Sequence, residues 1–451
     1  MIRRGLALGV VCFILGGQPI YLRGNITLSE VQDETNSLIS AGRAFVDLLV
    51  RKDFKAAVTQ FDETMKGAMP EPKLEETWNT VLVQAGAFKQ VGKARTEKRG
   101  AYTIVSVTCD FEKTPLDIKV VFDQAKRIAG LFFAPATNAD YAPPAYVKAD
   151  SFREKEVTVG TGEWALPATL TTPADAGPFP AVVLVHGSGP HDRDETIGPN
   201  KPFKDLAWGL ASNGIAVLRY EKRTKQYPSK LASIRTLTVK EEVLDDVLAA
   251  AELLRKTEGI DPKRIFVLGH SLGGMLVPRI ARIDPNLAGL ISLAGATRPL
   301  EDVIPEQLTY IFSLDGSISP EDQKRIDDAK EQSAKVKALK IEDANSTVVA
   351  FGVPASYWLD LRGYDPPETA KALKQPLLIL QGERDYQVTM EDFKRWNAAL
   401  ASRSNVTFKL YPELNHLFVS GSGRSSPSEY ETAGHVDTRV VSDITGWIQK
   451  H

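Results

Sequence analysis

Apolar positions in this chain follow two different rhythms. Over Thr35 to Val50, Phe54 to Met65 and Lys73 to Leu82 they recur at helical spacing, which predicts three amphipathic helices. Over Phe88 to Thr96, Tyr102 to Phe111, Leu116 to Phe122 and Ile128 to Phe133 they alternate, which predicts half-buried strands. Helices first and strands afterwards make residues 28–135 a small α+β domain of their own. The stretch Ala134 to Asp150, with Pro135, Pro143 and Pro144 among alanines and polar residues, reads as an interdomain linker, placed at 136–150.

The rest, 151–451, has a different pattern. Two alternating stretches, Arg153 to Val159 and Trp164 to Thr171, predict antiparallel strands. Continuous apolar runs then occur at Ala181 to Val185, Arg264 to Leu268, Gly289 to Leu293 and Pro376 to Leu380, separated by helical stretches. Runs apolar on both faces belong to a mostly parallel sheet covered by helices on each side. One covering helix is explicit: Thr238 and Glu241 form a capping box, Val243, Leu244, Val247, Leu248, Ala251 and Leu254 mark the buried stripe, and Gly259 closes it before Pro262. It reads as scaffold without chemistry. About 80 residues, 296–374, separate two of the strands, which is more than a crossover needs, and predict a helical lid over the carboxyl ends of the strands.

Candidate chemistry sits where those runs end. Gly269-His270-Ser271-Leu272-Gly273 joins a buried strand to the apolar-periodic stretch Met275 to Ile283. A strand that reverses into a helix on one residue crowds both flanking positions, so glycine is required there, and Ser271 would stand at a positive helix N-terminus as a nucleophile. Upstream, the run to Val185 leads into His186-Gly187-Ser188-Gly189-Pro190, a loop able to aim backbone N–H groups into a cleft. The oxyanion hole is assigned to the N–H groups of Leu272 and Ser188, with Gly189 as the alternative to Ser188.

Downstream, the strand at Pro376 ends in Gly382-Glu383-Arg384-Asp385, on a loop suited to an acid that orients an imidazole. Asp385 is preferred and Glu383 is the alternative. After a short strand, Val406 to Leu410, comes His416. Of the six histidines, His186 and His270 belong to the loops above; His191 and His451 read as surface or satisfied core residues. His435 is the rival base, but it opens the final helix, Val436 to Lys450, instead of following a strand.

These residues, with LVHGSGPHDRDE, LRYEKR, GHSLGGMLVPRIA, LQGERDYQV and LYPELNHLF, resemble bacterial serine hydrolases of the α/β-hydrolase superfamily, and among them exported esterases with an N-terminal accessory domain. The resemblance implies the α/β-hydrolase fold over 151–451, Ser271 as nucleophile, Asp385 as acid, His416 as base and a small-molecule ester as substrate. It covers roughly Glu154 to His451. Related chains often read RYDKRG where this one has Arg219-Tyr220-Glu221-Lys222-Arg223-Thr224, so a glycine-dependent turn there is in doubt. The accessory domain resembles the nuclear-transport-factor-2-like group. Tyr357, Trp358 and Tyr364 in the insertion are candidates to line a substrate pocket, with packing of the lid as the other reading.

Two other functions stay open. A serine peptidase acting on short peptides would need an acidic device for a free amine, for which Glu301, Asp302, Glu306 and Asp365 are candidates. A non-catalytic binding protein on a hydrolase scaffold is disfavoured by the intact set of Ser, Asp and His.

A net charge of -2, with 43% apolar and 25% charged residues, gives no basic footprint for nucleic acid and no polybasic membrane patch. Two distant cysteines, Cys12 and Cys109, give no zinc site or disulfide framework, and no metal or other cofactor is expected. Met1-Ile2-Arg3-Arg4 followed by Leu6 to Leu15 has the charge and short apolar run of a secretory signal, placed at 1–24, and falls short of the ~20 residues that span a bilayer. Export to the periplasm or the outside, with no stable membrane span after cleavage, is the expectation. Oligomeric state is not legible.

Overall fold

The computed structural model describes residues 28–99, 102–136, 141–346 and 349–451, so the signal-like segment lies outside the described residues. They fall into two compact units that meet in sequence between Ala142 and Pro143.

The first unit carries helices Leu28–Val50, Phe54–Thr59, Glu63–Ala68 and Glu71–Ala85, then strands β1 (Phe88–Arg99), β2 (Tyr102–Phe111), β3 (Leu116–Phe122) and β4 (Ile128–Pro135). The strands form one antiparallel sheet in the order β1-β2-β3-β4. Its core includes Phe45, Leu49, Phe61, Leu74, Trp78, Val105, Val107, Ile118 and Val120. The single helix expected over Phe54 to Met65 is two. Asp62 ends the run because its backbone N–H bonds Ile128 O at 2.9 Å while its carboxylate accepts from Met65 N at 2.6 Å and caps a new helix.

The second unit holds β5 (Phe152–Val159), β6 (Leu166–Pro173), β7 (Phe179–Val185), β8 (Ala216–Tyr220), β9 (Ile260–His270), β10 (Gly289–Leu293), a two-residue pair β11 (Val349–Ala350) and β12 (Val353–Pro354), then β13 (Leu377–Gly382) and β14 (Val406–Tyr411). Eight of these make one sheet in the order β14-β13-β10-β9-β7-β8-β6-β5. The pairs β5·β6 and β6·β8 are antiparallel and the rest are parallel.

The apolar runs are continuous because successive side chains enter different cores. Along β7, Ala181, Val183 and Val185 join one core, whereas Val182 and Leu184 join the other. On β9, Ile265 and Val267 face the first, and Phe266 and Leu268 the second. The helices Asp245–Arg255, Leu272–Ile283 and Met390–Leu400 contribute to the first core; Pro202–Ala211 and Thr438–Lys450 supply the second.

Residues 143–150, read in the sequence as linker, pack on this unit: Tyr146 Oη donates to Val436 O at 2.9 Å, and Lys148 N to Ser212 Oγ at 2.9 Å. The insertion folds into helices Leu300–Phe312, Pro320–Ala338, Ala355–Leu361 and Pro366–Lys371. Among the described residues no helix is long and apolar enough to cross a membrane.

Candidate active site

The turn from β9 into the helix Leu272–Ile283 has the geometry that its glycines imply. Ser271 stands at the helix N-cap with φ 54 and ψ -113, a left-handed conformation that costs a non-glycine residue about 1–3 kcal/mol. A Cβ at Gly269 would lie 2.2 Å from the Gly273 carbonyl, and one at Gly273 2.2 Å from Val185 O. Gly273→Ala is therefore expected to destabilise the fold by at least ~2 kcal/mol, since backbone and not a flexible side chain must yield; a thermal midpoint equal to wild type would contradict the close approach. Ser271 itself remains partly exposed.

Asp385 and His416 are brought together by loops leaving the neighbouring strands β13 and β14. Gly382 makes this possible: a Cβ there would meet Leu414 O at 2.4 Å. Arg384 N donates to that same Leu414 O at 3.1 Å, tying the two loops. His416 Nδ1 lies 2.6 Å from Asp385 Oδ2, and each residue is 4% exposed. The carboxylate is oriented in turn: its Oδ1 accepts from Gln387 N at 2.8 Å and Val388 N at 3.0 Å, and Gln381 Nε2 approaches Oδ2 at 3.3 Å. Glu383, the alternative acid, is exposed.

The rival base, His435, has an acid of its own. Its Nδ1 lies 3.0 Å from Asp205 Oδ1, on the helix Pro202–Ala211. His416 instead adjoins the Ser271 turn: His270, the residue before Ser271, meets His416 O through Nε2 at 2.9 Å, with ring centroids 4.6 Å apart.

The glycine loop after β7 is held at successive backbone groups. Glu195 Oε1 accepts from Gly187 N at 2.7 Å, Lys222 Nζ donates to Gly187 O at 2.7 Å, His191 Nε2 bonds Ser188 O at 2.7 Å, and Thr224 Oγ1 donates to Gly189 O at 3.1 Å. Among the described residues, the N–H groups of Ser188 and Leu272 have no acceptor in the chain. They are thus available to an oxyanion, and a Cβ at Gly187 would come within 3.2 Å of Ser271 Cβ. Thr224 sits in a short helix, Arg223–Gln226, so no glycine is needed where related chains have one.

Glu195 was not singled out by the sequence. It is 1% exposed, at a left-handed φ of 52, and its Oε2 stands 2.9 Å from His270 Nδ1, off the line of a straight hydrogen bond. Burial opposes the charge on Glu195, yet the imidazoles of His270, His191 and His186 outweigh it and hold the carboxyl down to about 2. For His270, burial works against protonation, but Glu195 reverses the balance and raises its pKa. His270 Nε2 faces a carbonyl, which can only accept, so that nitrogen carries hydrogen and Nδ1 is the one turned toward the Glu195 carboxylate. His186 differs: burial pushes it down to about 3, so it stays neutral. His191, read in the sequence as a surface or satisfied core residue, is half-buried and holds the Ser188 carbonyl.

Residues 177–421 match the family described as "Serine aminopeptidase, S33", and residues 43–131 match the family described as "Protein of unknown function (DUF3887)". The chain is 41% identical over 406 residues to Esterase EstD of Thermotoga maritima, covering 90% of this chain and 94% of that one. The chain belongs to the α/β-hydrolase superfamily, in the family of that esterase. It is also 24% identical over 304 residues to Monoacylglycerol lipase of Mycolicibacterium smegmatis, covering 67% of this chain and 99% of that protein. Among solved structures it is similar to Est1E from Butyrivibrio proteoclasticus, with a TM-score of 0.42, 17% identity, and coverage of 66% of this chain and 99% of that one.

In this α/β-hydrolase the contacts of the lid aromatics are those of packing, one of the two readings left open for them in the sequence. Tyr357 is buried, and its hydroxyl donates to Glu242 Oε2 at 2.7 Å. Trp358 is buried within the lid with Nε1 on Ala350 O at 3.0 Å. Tyr364 donates to Met275 O at 2.8 Å, on the helix behind Ser271. These side chains anchor the lid to itself and to the body, because each polar end finds its partner there.

Three of the four acids considered for a peptide amine have partners within the insertion: Glu306 pairs with Arg298 at 2.5 Å, Asp302 with Lys337 at 2.5 Å, and Asp365 caps the helix Pro366–Lys371, while Glu301 is half-buried. Arg298 and Lys337 border a cavity of about 470 Å³ between the lid helices, and Ser271 does not line it. Among the described residues no group of His, Cys, Asp and Glu is arranged to hold a metal ion.

Proposed function

We propose that this carboxylic ester hydrolase works by two-step acyl transfer through Ser271, His416 and Asp385. The observation that carries the reading is the buried contact of 2.6 Å between His416 Nδ1 and Asp385 Oδ2, on loops that the fold sets beside the Ser271 turn. With Nδ1–H donated to the carboxylate, Nε2 is left as the base. His416 Nε2 takes the Ser271 proton as Oγ bonds to the ester carbonyl carbon, and the C–O π pair moves onto oxygen. The N–H groups of Ser188 and Leu272 receive that oxyanion. Collapse expels the alcohol, which leaves with the proton from His416. A water repeats the sequence on the acyl-enzyme, giving the acid and free Ser271.

The partners that Asp302, Glu306 and Asp365 find within the lid support an ester over a peptide with a free amine. A fluorophosphonate probe is expected to label Ser271, located by peptide mapping, and p-nitrophenyl esters of short to long acyl chains are expected to turn over while aminoacyl-nitroanilides do not. Preferential cleavage of the anilides would replace the ester reading by a peptidase. Labelling at another serine would remove the nucleophile assignment.

A further inference from the structure

Lys222 follows β8 in the Arg219-Tyr220-Glu221-Lys222-Arg223 segment, and none of the steps above uses it. Its side chain is among the most buried of the chain, at 2% exposure. Nζ donates to Gly187 O at 2.7 Å and to Glu242 Oε1 at 2.5 Å, and Tyr357 Oη of the lid donates to Glu242 Oε2 at 2.7 Å. Glu242 lies on a turn of π-helix, Lys240–Leu244, an interruption that recurs at functional positions. A buried ion pair is a poor source of stability, since an apolar pair of similar volume does as well or better. Its placement therefore asks for another reason.

The acceptor supplies one. Gly187 C=O and Ser188 N–H are the two ends of one amide, and that amide is trans, the cis bond among the described residues being Gly177-Pro178. In a trans amide the C=O and N–H point in opposite directions. A cation gripping the carbonyl fixes the N–H on the side away from itself, and draws electron density toward oxygen, which makes the N–H a stronger donor. Gly187 N, on the other side of the same residue, is fixed independently by Glu195 at 2.7 Å.

We propose that Lys222, held by Glu242 and Tyr357, is a positioning residue of the oxyanion hole that orients and polarises the Gly187–Ser188 amide. This rests on the reading of Ser188 N–H as an oxyanion donor. Because the donor gains its charged partner only when negative charge develops on the substrate oxygen, the effect falls on the transition state more than on substrate binding. The lid helix Ala355–Leu361 takes part through Tyr357, so a lid contact reaches the catalytic amide through a chain of hydrogen bonds.

The test uses the full chain with a p-nitrophenyl ester as substrate and phenylboronic acid as a probe that forms a tetrahedral adduct with the serine. Lys222→Met is expected to lower kcat roughly tenfold to fiftyfold, less than deletion of an oxyanion donor. KM should stay within about twofold, while the boronate inhibition constant should weaken by roughly the same factor as kcat. Lys222→Met with Glu242→Leu removes the buried charge left behind; it is expected to recover the thermal midpoint without recovering kcat, and it carries the test should the single variant not fold. Tyr357→Phe should show a smaller loss of the same kind. A kcat within threefold of wild type, a loss confined to KM, an unchanged boronate constant, or recovery of kcat in the double variant would each overturn the proposal. Failure of the fluorophosphonate to label Ser271 in the wild type would instead remove the reading beneath it.

Discussion

Ser271→Ala is expected to lower kcat for an ester by about 10⁶-fold, with KM and the thermal midpoint close to wild type. Alanine keeps the Cβ and therefore the same left-handed backbone at φ 54, so the turn is neither relieved nor further strained. The substitution removes only Oγ, the atom that bonds to the acyl carbon. The N–H groups of Ser188 and Leu272 remain, which leaves a residual rate from oxyanion stabilisation and substrate binding alone. Retention of wild-type turnover by purified Ser271→Ala, with no labelling by fluorophosphonate, would rule the nucleophile out. A change in KM alone would assign Ser271 to substrate binding.

The elements that sequence reading recovers are those with strong local rules. The strand ends at Val185, His270 and Gly382 follow apolar runs whose alternate residues enter different cores, and the loops beyond them hold the candidate site residues. The glycines at 269 and 273 are legible because one physical cause, a Cβ that would meet backbone at 2.2 Å, leaves no other residue type. Residues that act through tertiary contact left weaker traces. Lys222 reaches a carbonyl 35 positions away and a carboxylate 20 positions away, and neither distance corresponds to a period. Glu242 sits inside a helix that reads as pure scaffold, yet its first turn is π-helical and presents this acid to Lys222. Glu195 had a signal in the DRDE run after the glycine loop, but its left-handed φ and its bond to Gly187 N appear only in three dimensions. The lid aromatics were ambiguous for a related reason: a tyrosine at a helical position looks the same whether its hydroxyl meets substrate or Glu242.

His416→Ala and His435→Ala separate the candidate bases, because each histidine has an aspartate and only their surroundings differ. His416→Ala is expected to lower kcat about 10⁵- to 10⁶-fold, nearly as far as Ser271→Ala, and the two together little further, since residues that act as one unit do not add. His435→Ala is expected to leave kcat within about twofold, because its Asp205 contact ties the segment just before the final helix, which begins at Thr438 and not at the expected Val436, to the helix Pro202–Ala211, where Asp205 Oδ2 also accepts from Val436 N at 2.9 Å. Its effect falls on stability and carries a pH signature. The hydrogen bond to Asp205, opposed by partial burial, raises the His435 pKa above its ordinary value. A raised histidine pKa stabilises the folded state fully below the unfolded value, and that contribution is lost as pH rises through the folded one. The difference in thermal midpoint between wild type and His435→Ala should therefore be largest in mild acid and shrink toward neutral and alkaline pH, modestly, because the imidazole is partly exposed although Asp205 is buried. Loss of turnover in His435→Ala with activity retained in His416→Ala would transfer the base to His435 and make the buried contact of Asp385 with His416 a structural one.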